Sequence, residues 1–176
     1  MVKDFIKNIW KSQDTSVWLV FLRLIIGVEW FIAGLEKLID PEYVTGMAGT
    51  LGFFASGNPN AWFVNLINNN FIPNATVFAW LVSIGELLVG IGLILGIFVN
   101  LSAIVSIFLN ISFFFAAAWI SPSTQSLNWI MAALGFIILL SPGIKNLSLD
   151  LLIVNYVPKL RRPLIDWFGF EKLNKK

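Results

Sequence analysis

The chain has 176 residues, of which 57% are hydrophobic and only 12% charged, with a formal net charge of +2. A soluble domain carries about 25% charged residues, so this chain cannot cover a globular surface with polar groups; a water-soluble enzyme and a disordered protein are excluded, leaving one all-α integral membrane domain over residues 1–176. With neither cysteine nor histidine, the chain has no disulfide, thiol catalysis, imidazole base or His-ligated haem or copper of its own, and its scattered Lys and Arg do not suggest nucleic acid.

Residues 1–16 carry Lys3, Lys7 and Lys11 beside Asp4 and Asp14, with no small-residue cleavage site after them, which argues against a signal peptide. Phe5, Ile6, Ile9 and Trp10 share one helical face there, as in an amphipathic segment lying on a membrane. Residues 17–38 form the first stretch long and apolar enough to cross a bilayer. A long loop follows over 39–76, rich in glycine, asparagine and aromatics: Gly46, Gly49, Gly52, Phe53, Phe54, Gly57-Asn58-Pro59-Asn60, Trp62, Phe63 and Asn68-Asn69-Asn70. Its aromatics predict an ordered, helix-containing cover over one mouth of the bundle. Asn74-Ala75-Thr76 has the form of a glycosylation sequon but sits too close to the membrane to be read as a used site. Three more spans are predicted at 77–99, 101–120 and 126–144. The tail, 145–176, mixes apolar and basic residues and is broken by Pro158 and Pro163. It reads as interfacial helix held by anionic headgroups, not a fifth span.

Lys and Arg placement sets the expected orientation. The N-terminal segment and the tail are basic, whereas the loop 39–76 holds only Asp40 and Glu42, and the other two turns hold no charge. Both termini are therefore expected on the cytoplasmic side of a plasma membrane, with the long loop outside. The tryptophans agree: Trp10, Trp18 and Trp167 fall at the inner level and Trp62, Trp80, Trp119 and Trp129 near the outer, with Trp30 at mid-depth.

The informative residues are the ionisable ones inside spans, each costing at least ~2.5–3.5 kcal/mol at mid-bilayer. The first span holds Arg23, Glu29, Glu36 and Lys37, the second Glu86, and the others none. At about 100° per residue, Arg23, Gly27, Trp30, Gly34 and Lys37 form one stripe, with Glu29 and Glu36 on a different face. Equal spans put Glu29, Glu86 and Asn110 at one depth, with Arg23 about 9 Å deeper than Glu29. The cluster reads two ways: as ion pairs and hydrogen bonds that pin the helices together, or as a polar pocket for an anion, a quinone headgroup or protons. The glycines of the second span, Gly85, Gly90, Gly92 and Gly96, and the stripe Ser102, Ser106 and Asn110 read as close-packing surfaces.

The first span reads Arg23-x3-Gly27-x3-Phe31-x2-Gly34-x2-Lys37-Leu38, and the second Glu86-x3-Gly90-x-Gly92-x3-Gly96. Asn110 lies in the third, and Asn146-Leu147-Ser148-Leu149-Asp150 follows the fourth. This order, over roughly 17–152, resembles the DoxX-like family of four-helix membrane proteins, and in particular its DoxD branch. Asn100 departs from it, since many relatives carry a basic residue there. The resemblance implies an archaeal thiosulfate:quinone oxidoreductase: its large subunit, with a smaller DoxA-like membrane subunit as partner, oxidises thiosulfate to tetrathionate and passes the electrons to a membrane quinone.

The residues can be set against that chemistry. Thiosulfate is a dianion and needs cations or N–H donors; Lys37, Arg23, Trp119 and Asn128 are candidates. A quinone needs an apolar slot with a polar contact for its head, which Trp30, Phe31 and Glu86 can provide; Asn110 is a further candidate for binding substrate or quinone. Glu29 and Glu86 are the candidate catalytic residues, as proton carriers. No metal site is readable; the resemblance implies quinone as the electron acceptor, with any thiol that the chemistry needs brought by the partner subunit. The alternatives are a non-catalytic anchor or assembly subunit of a respiratory or thiol-redox complex, as a homodimer or hetero-oligomer among membrane lipids, and a small-solute transporter, which the lack of a repeat disfavours.

Overall fold

The computed structural model describes residues 16–141, 144, 146–160 and 164; the expectations for 1–15 and for most of the tail beyond 160 fall outside them. Among the described residues, four helices are long and apolar enough to cross a membrane. They are α1 (Ser16–Ile39), α4 (Ala75–Leu95), α5 (Val99–Ala117) and α6 (Pro122–Leu140). Between the first two run α2 (Tyr43–Ser56), α3 (Ala61–Leu66), a π-turn (Ile67–Phe71) and a 3-10 turn (Ile72–Asn74). A short α7 (Leu149–Tyr156) follows the bundle. The chain is a multi-pass, all-α membrane protein.

Local chemistry sets the breaks. Pro41 disfavours helix at the residue before it, and α1 stops at Ile39; Asp40 then caps the turn, its Oδ1 accepting from the Glu42 N–H at 2.9 Å. The second span ends four residues earlier than its hydropathy suggests. Gly96 takes a left-handed φ of 67° and Phe98 one of 52°, so α4 and α5 meet in a tight turn. The fourth span starts earlier than 126, because Ser121 caps it through Thr124 N–H at 3.1 Å with Pro122 in the first turn.

Glycines bring the helices together. A Cβ on Gly34 would run into the backbone of Leu87, one on Gly90 into that of Phe31, and one on Gly27 would lie 2.9 Å from Ile94 N. Thus α1 lies tight along α4 in one register: 34 beside 87, 31 beside 90, 27 beside 94. Gly92 abuts Ser102 across the α4–α5 turn, and Gly135 on α6 meets Ile107 and Ser106 on α5. Between these seams Ile26, Trp30, Val89, Leu93, Ile107 and Ile138 build the mid-depth core. Gly90→Ala is expected to lower the thermal midpoint in detergent by the equivalent of roughly 1–3 kcal/mol or more. Gly85→Ala on the same helix, where the added methyl meets open space, should leave the midpoint unchanged or raise it. Equal midpoints for the two variants would refute the close crossing.

The long loop is a second packed layer. Met47, Leu51, Phe63 and Ile67 form a separate core with Ala79, Ala116 and Ala117 from the long helices. Gly57 is required there, since a Cβ would come within 2.5 Å of the Trp119 ring. Asn58 ties the loop to α5, its Nδ2 donating to Phe115 O at 2.7 Å and Ala116 O at 3.2 Å.

Candidate functional site

The α1–α4 register decides which charges can meet. Glu86 falls level with Leu35, whereas Glu29 falls level with Gly92, six residues or about 9 Å further from the long loop. The expectation that Glu29 and Glu86 share a depth is therefore corrected: α4 extends past the end of α1 and carries Glu86 toward the loop. Asn110 is eight residues above Ser102 and Glu86 six above Gly92, so these two are level within a turn.

Glu86 pairs with Lys37. Lys37 Nζ donates to Glu86 Oε2 at 2.6 Å and lies 3.4 Å from Ala33 O. The carboxylate side chain is 2% exposed and the lysine 29%, so the pair opens on the lysine side only. At the start of α2, burial pushes the Tyr43 phenol well above its ordinary range, and the nearby Glu86 charge adds to the push. Tyr43 therefore keeps its proton at neutral pH and remains a donor beside the pair. Sequence reasoning passed it over: nothing in its spacing shows that the turn at Asp40-Pro41 folds it back over α4.

Four other predicted residues make no contact with the charges of this pair. Trp30, on the same stripe of α1 as Lys37, is 4% exposed, and its Nε1 has no hydrogen-bond partner. Such an orphaned buried donor fits a ligand carbonyl oxygen. Asn110 is buried and donates to Ser106 O at 2.8 Å, and Asn128 is buried and donates to Thr124 O at 2.8 Å. Trp119 gives its indole N–H to Ala116 O at 3.0 Å and packs on Phe53. Its N–H is thus spent within the loop layer.

Arg23 and Glu29 lie elsewhere. Arg23 is 1% exposed at the opposite end of the bundle, where Nη1 donates to Ile144 O at 2.8 Å and to Asn146 O at 3.4 Å, and Nη2 to Leu147 O at 3.1 Å. Asp150 completes this joint: its carboxylate accepts from Phe98 and Val99 N–H, each at 2.9 Å, and its own N–H donates to Gly96 O at 2.9 Å. The Arg and the Asn146–Asp150 stretch, distant in sequence, thus lock the α4–α5 turn to the end of α6. Asn100, the departure noted above, is buried beside this joint and donates to Leu164 O at 3.1 Å. Glu29 is exposed on the outer face of α1, outside the site around Glu86. Among the described residues no three His, Cys, Asp or Glu side chains gather as metal ligands.

Against known proteins, the family model described as DoxX matches residues 18–119. That match covers α1 through α5, including Lys37, Tyr43 and Glu86. No curated protein and no solved structure matches the chain.

Proposed function

From the chain's membership of the DoxX family, whose members are membrane proteins often associated with oxidoreductase membrane subunits, we propose that it is the membrane subunit of a thiosulfate:quinone oxidoreductase. Two thiosulfates join through a new S–S bond and lose two electrons; the quinone takes up those electrons with two protons and leaves as quinol. The observation that carries the reading is the Lys37–Glu86 pair beside Tyr43, an ionisable cluster kept at a cost inside an apolar bundle. Lys37, on the open side, receives the anion or a quinone oxygen. Glu86 exchanges the protons, with Lys37 holding its charge, and Trp30 donates to a quinone carbonyl. A thiol or other redox group, where the reaction uses one, belongs to the smaller partner subunit, since this chain has no cysteine.

The test is thiosulfate-dependent reduction of a quinone analogue by the purified chain with its co-purifying partner. Glu86→Gln keeps the shape and removes the proton exchange, so turnover is expected to fall by about 100-fold or more. Full turnover by a folded Glu86→Gln chain would end the reading. It would leave the second one, a non-catalytic anchor or assembly subunit. That alternative is favoured by Arg23, whose two Nη groups are bonded to the carbonyls of the joint at the far end, and by Glu29, which faces outward.

A further inference from the structure

The Lys37–Glu86 pair lies near one end of the bundle. By the α1–α4 register Glu86 is level with Leu35, four residues or about 6 Å from the end of α1 at Ile39. It is nine residues, about 14 Å, from the other end of α4 at Leu95. On that longer side the interior is filled by Ile26, Trp30, Val89, Leu93, Ile107 and Ile138, and the buried Arg23 and Asp150 close the joint behind them. On the short side Lys37 is partly exposed. Access to the pair therefore comes from the side of the long loop.

That opening has an acidic rim. The turn that carries Tyr43 back beside the pair also carries Glu36, Asp40 and Glu42, all exposed. It is tied by Asp40 N–H to Glu36 O at 3.0 Å and by Tyr43 N–H to Asp40 O at 3.3 Å. Three carboxylates thus stand within five residues of Lys37 along the chain. No Lys or Arg occurs between Lys37 and Lys145, so α2 to α6 bring no cation to offset them. From α2 only the Tyr43 phenol faces the pair, and α5 and α6 hold no charged residue. Lys37 and Glu86 cancel each other, which leaves the rim carboxylates as the net charge of the opening. Such a rim repels anions over a screening length of about 8 Å and concentrates protons and cations. One heptad inward from Lys37, the orphaned Trp30 N–H is a neutral donor. It matches a carbonyl oxygen, whereas a dianion calls for further cations.

We infer that the opening above Lys37 and Glu86 is a charge-selective port on the side of the long loop: protons and cations enter, a neutral carbonyl head group is accepted, and small dianions are turned back. Joined to the proposed function, on which this one clause rests, it assigns Lys37 to a quinone oxygen and leaves thiosulfate to the partner subunit. The port itself does not depend on that reading.

The test exploits the absence of cysteine. A thiol is placed in the neutral version of the pair, Lys37→Cys with Glu86→Gln. Thr50→Cys, exposed on α2, marks the loop face, and Asn155→Cys, exposed on α7, marks the other. Intact cells and inverted membrane vesicles are treated with two impermeant thiosulfonate reagents of similar size, one a quaternary ammonium and one a sulfonate. Position 37 is expected to react in the preparation that exposes Thr50→Cys and to stay unmodified in the one that exposes Asn155→Cys. Relative to a free thiol, the cationic reagent should react there at least about tenfold faster than the anionic one at low salt. That ratio should fall toward one in about 1 M salt, where the screening length is about 3 Å. Glu36→Gln with Asp40→Asn and Glu42→Gln should abolish it as well; these side chains are exposed, so an unchanged melting curve confirms the fold. Reaction from the wrong face or from neither overturns the port. So does a ratio near one at low salt, or a ratio that survives neutralisation of the rim. In the complex with its partner, Lys37→Met should raise KM for a quinone analogue by about fivefold or more and leave that for thiosulfate within about twofold. A rise in the thiosulfate KM instead would return the anion to Lys37. A complex without any turnover would end the oxidoreductase reading, and the labelling then decides the port alone.

Discussion

Arg23→Met is expected to cost the folded chain about 3–5 kcal/mol while leaving turnover per folded molecule unchanged. Methionine fills the space of the arginine stem but donates nothing, so the carbonyls of Ile144 and Leu147 lose their charged donor. The buried Asp150 loses the cation near it and keeps only the Phe98 and Val99 N–H groups. The damage reaches the α4–α5 turn, because Asp150 holds that turn closed against the left-handed backbone at Gly96 and Phe98. Arg23→Lys should recover only part of the loss: a single ammonium cannot reproduce a fork aimed at separate carbonyls. Lys37 is fourteen residues, about 21 Å, further along the same helix, so the proposed chemistry is untouched. Denaturation in detergent gives the stability and the quinone-analogue assay the turnover. A normal melting curve with lost turnover would instead place Arg23 in the reaction.

The same residues show what could be read from the sequence. The four spans were legible because length and apolarity alone define them, and the stripe of Arg23, Gly27, Trp30, Gly34 and Lys37 is the face that α1 turns to α4. Hydropathy could not see the end of the second span: Ile97, Phe98 and Val99 stay apolar through a turn that is made by backbone conformation. Pairing of the charges was less legible. Which carboxylate meets Lys37 depends on the register of α1 against α4, and that register is set by the backbone contacts at Gly34 and Gly90. Assuming equal helices moved Glu29 beside Glu86 and hid the outward face on which it sits. Asp150 stood in the sequence only as part of a motif; its task became visible once the α4–α5 turn was seen to lack other partners for its N–H groups. The aromatics of the long loop signalled order correctly: Phe63 sits in its small second core, Phe54 and Phe71 pack against that core, and Phe53 packs on Trp119.

The two members of the Lys37–Glu86 pair should respond unequally to removal. Lys37→Met strands a carboxylate whose side chain is 2% exposed, without its charged partner at 2.6 Å. Removing one partner of a fully buried pair costs about 3–5 kcal/mol. Because the lysine is 29% exposed and screened on that side, we expect less than that scale, about 2–3 kcal/mol. Glu86→Leu frees a lysine that can turn its head toward water while its stem stays packed, so that variant should cost less than about 1 kcal/mol. The double variant Lys37→Met with Glu86→Leu is then expected to regain most of what Lys37→Met lost, since matched apolar groups in place of a buried pair are often neutral or better. Detergent denaturation of the parent, both single variants and the double variant measures the cycle. Additive losses would mean the pair has no coupling and that the distance between Nζ and Oε2 carries no energy. A recovered double variant that no longer turns over would separate the two duties of the pair: the fold can do without these charges, and the reaction is then the reason for keeping them inside an apolar bundle.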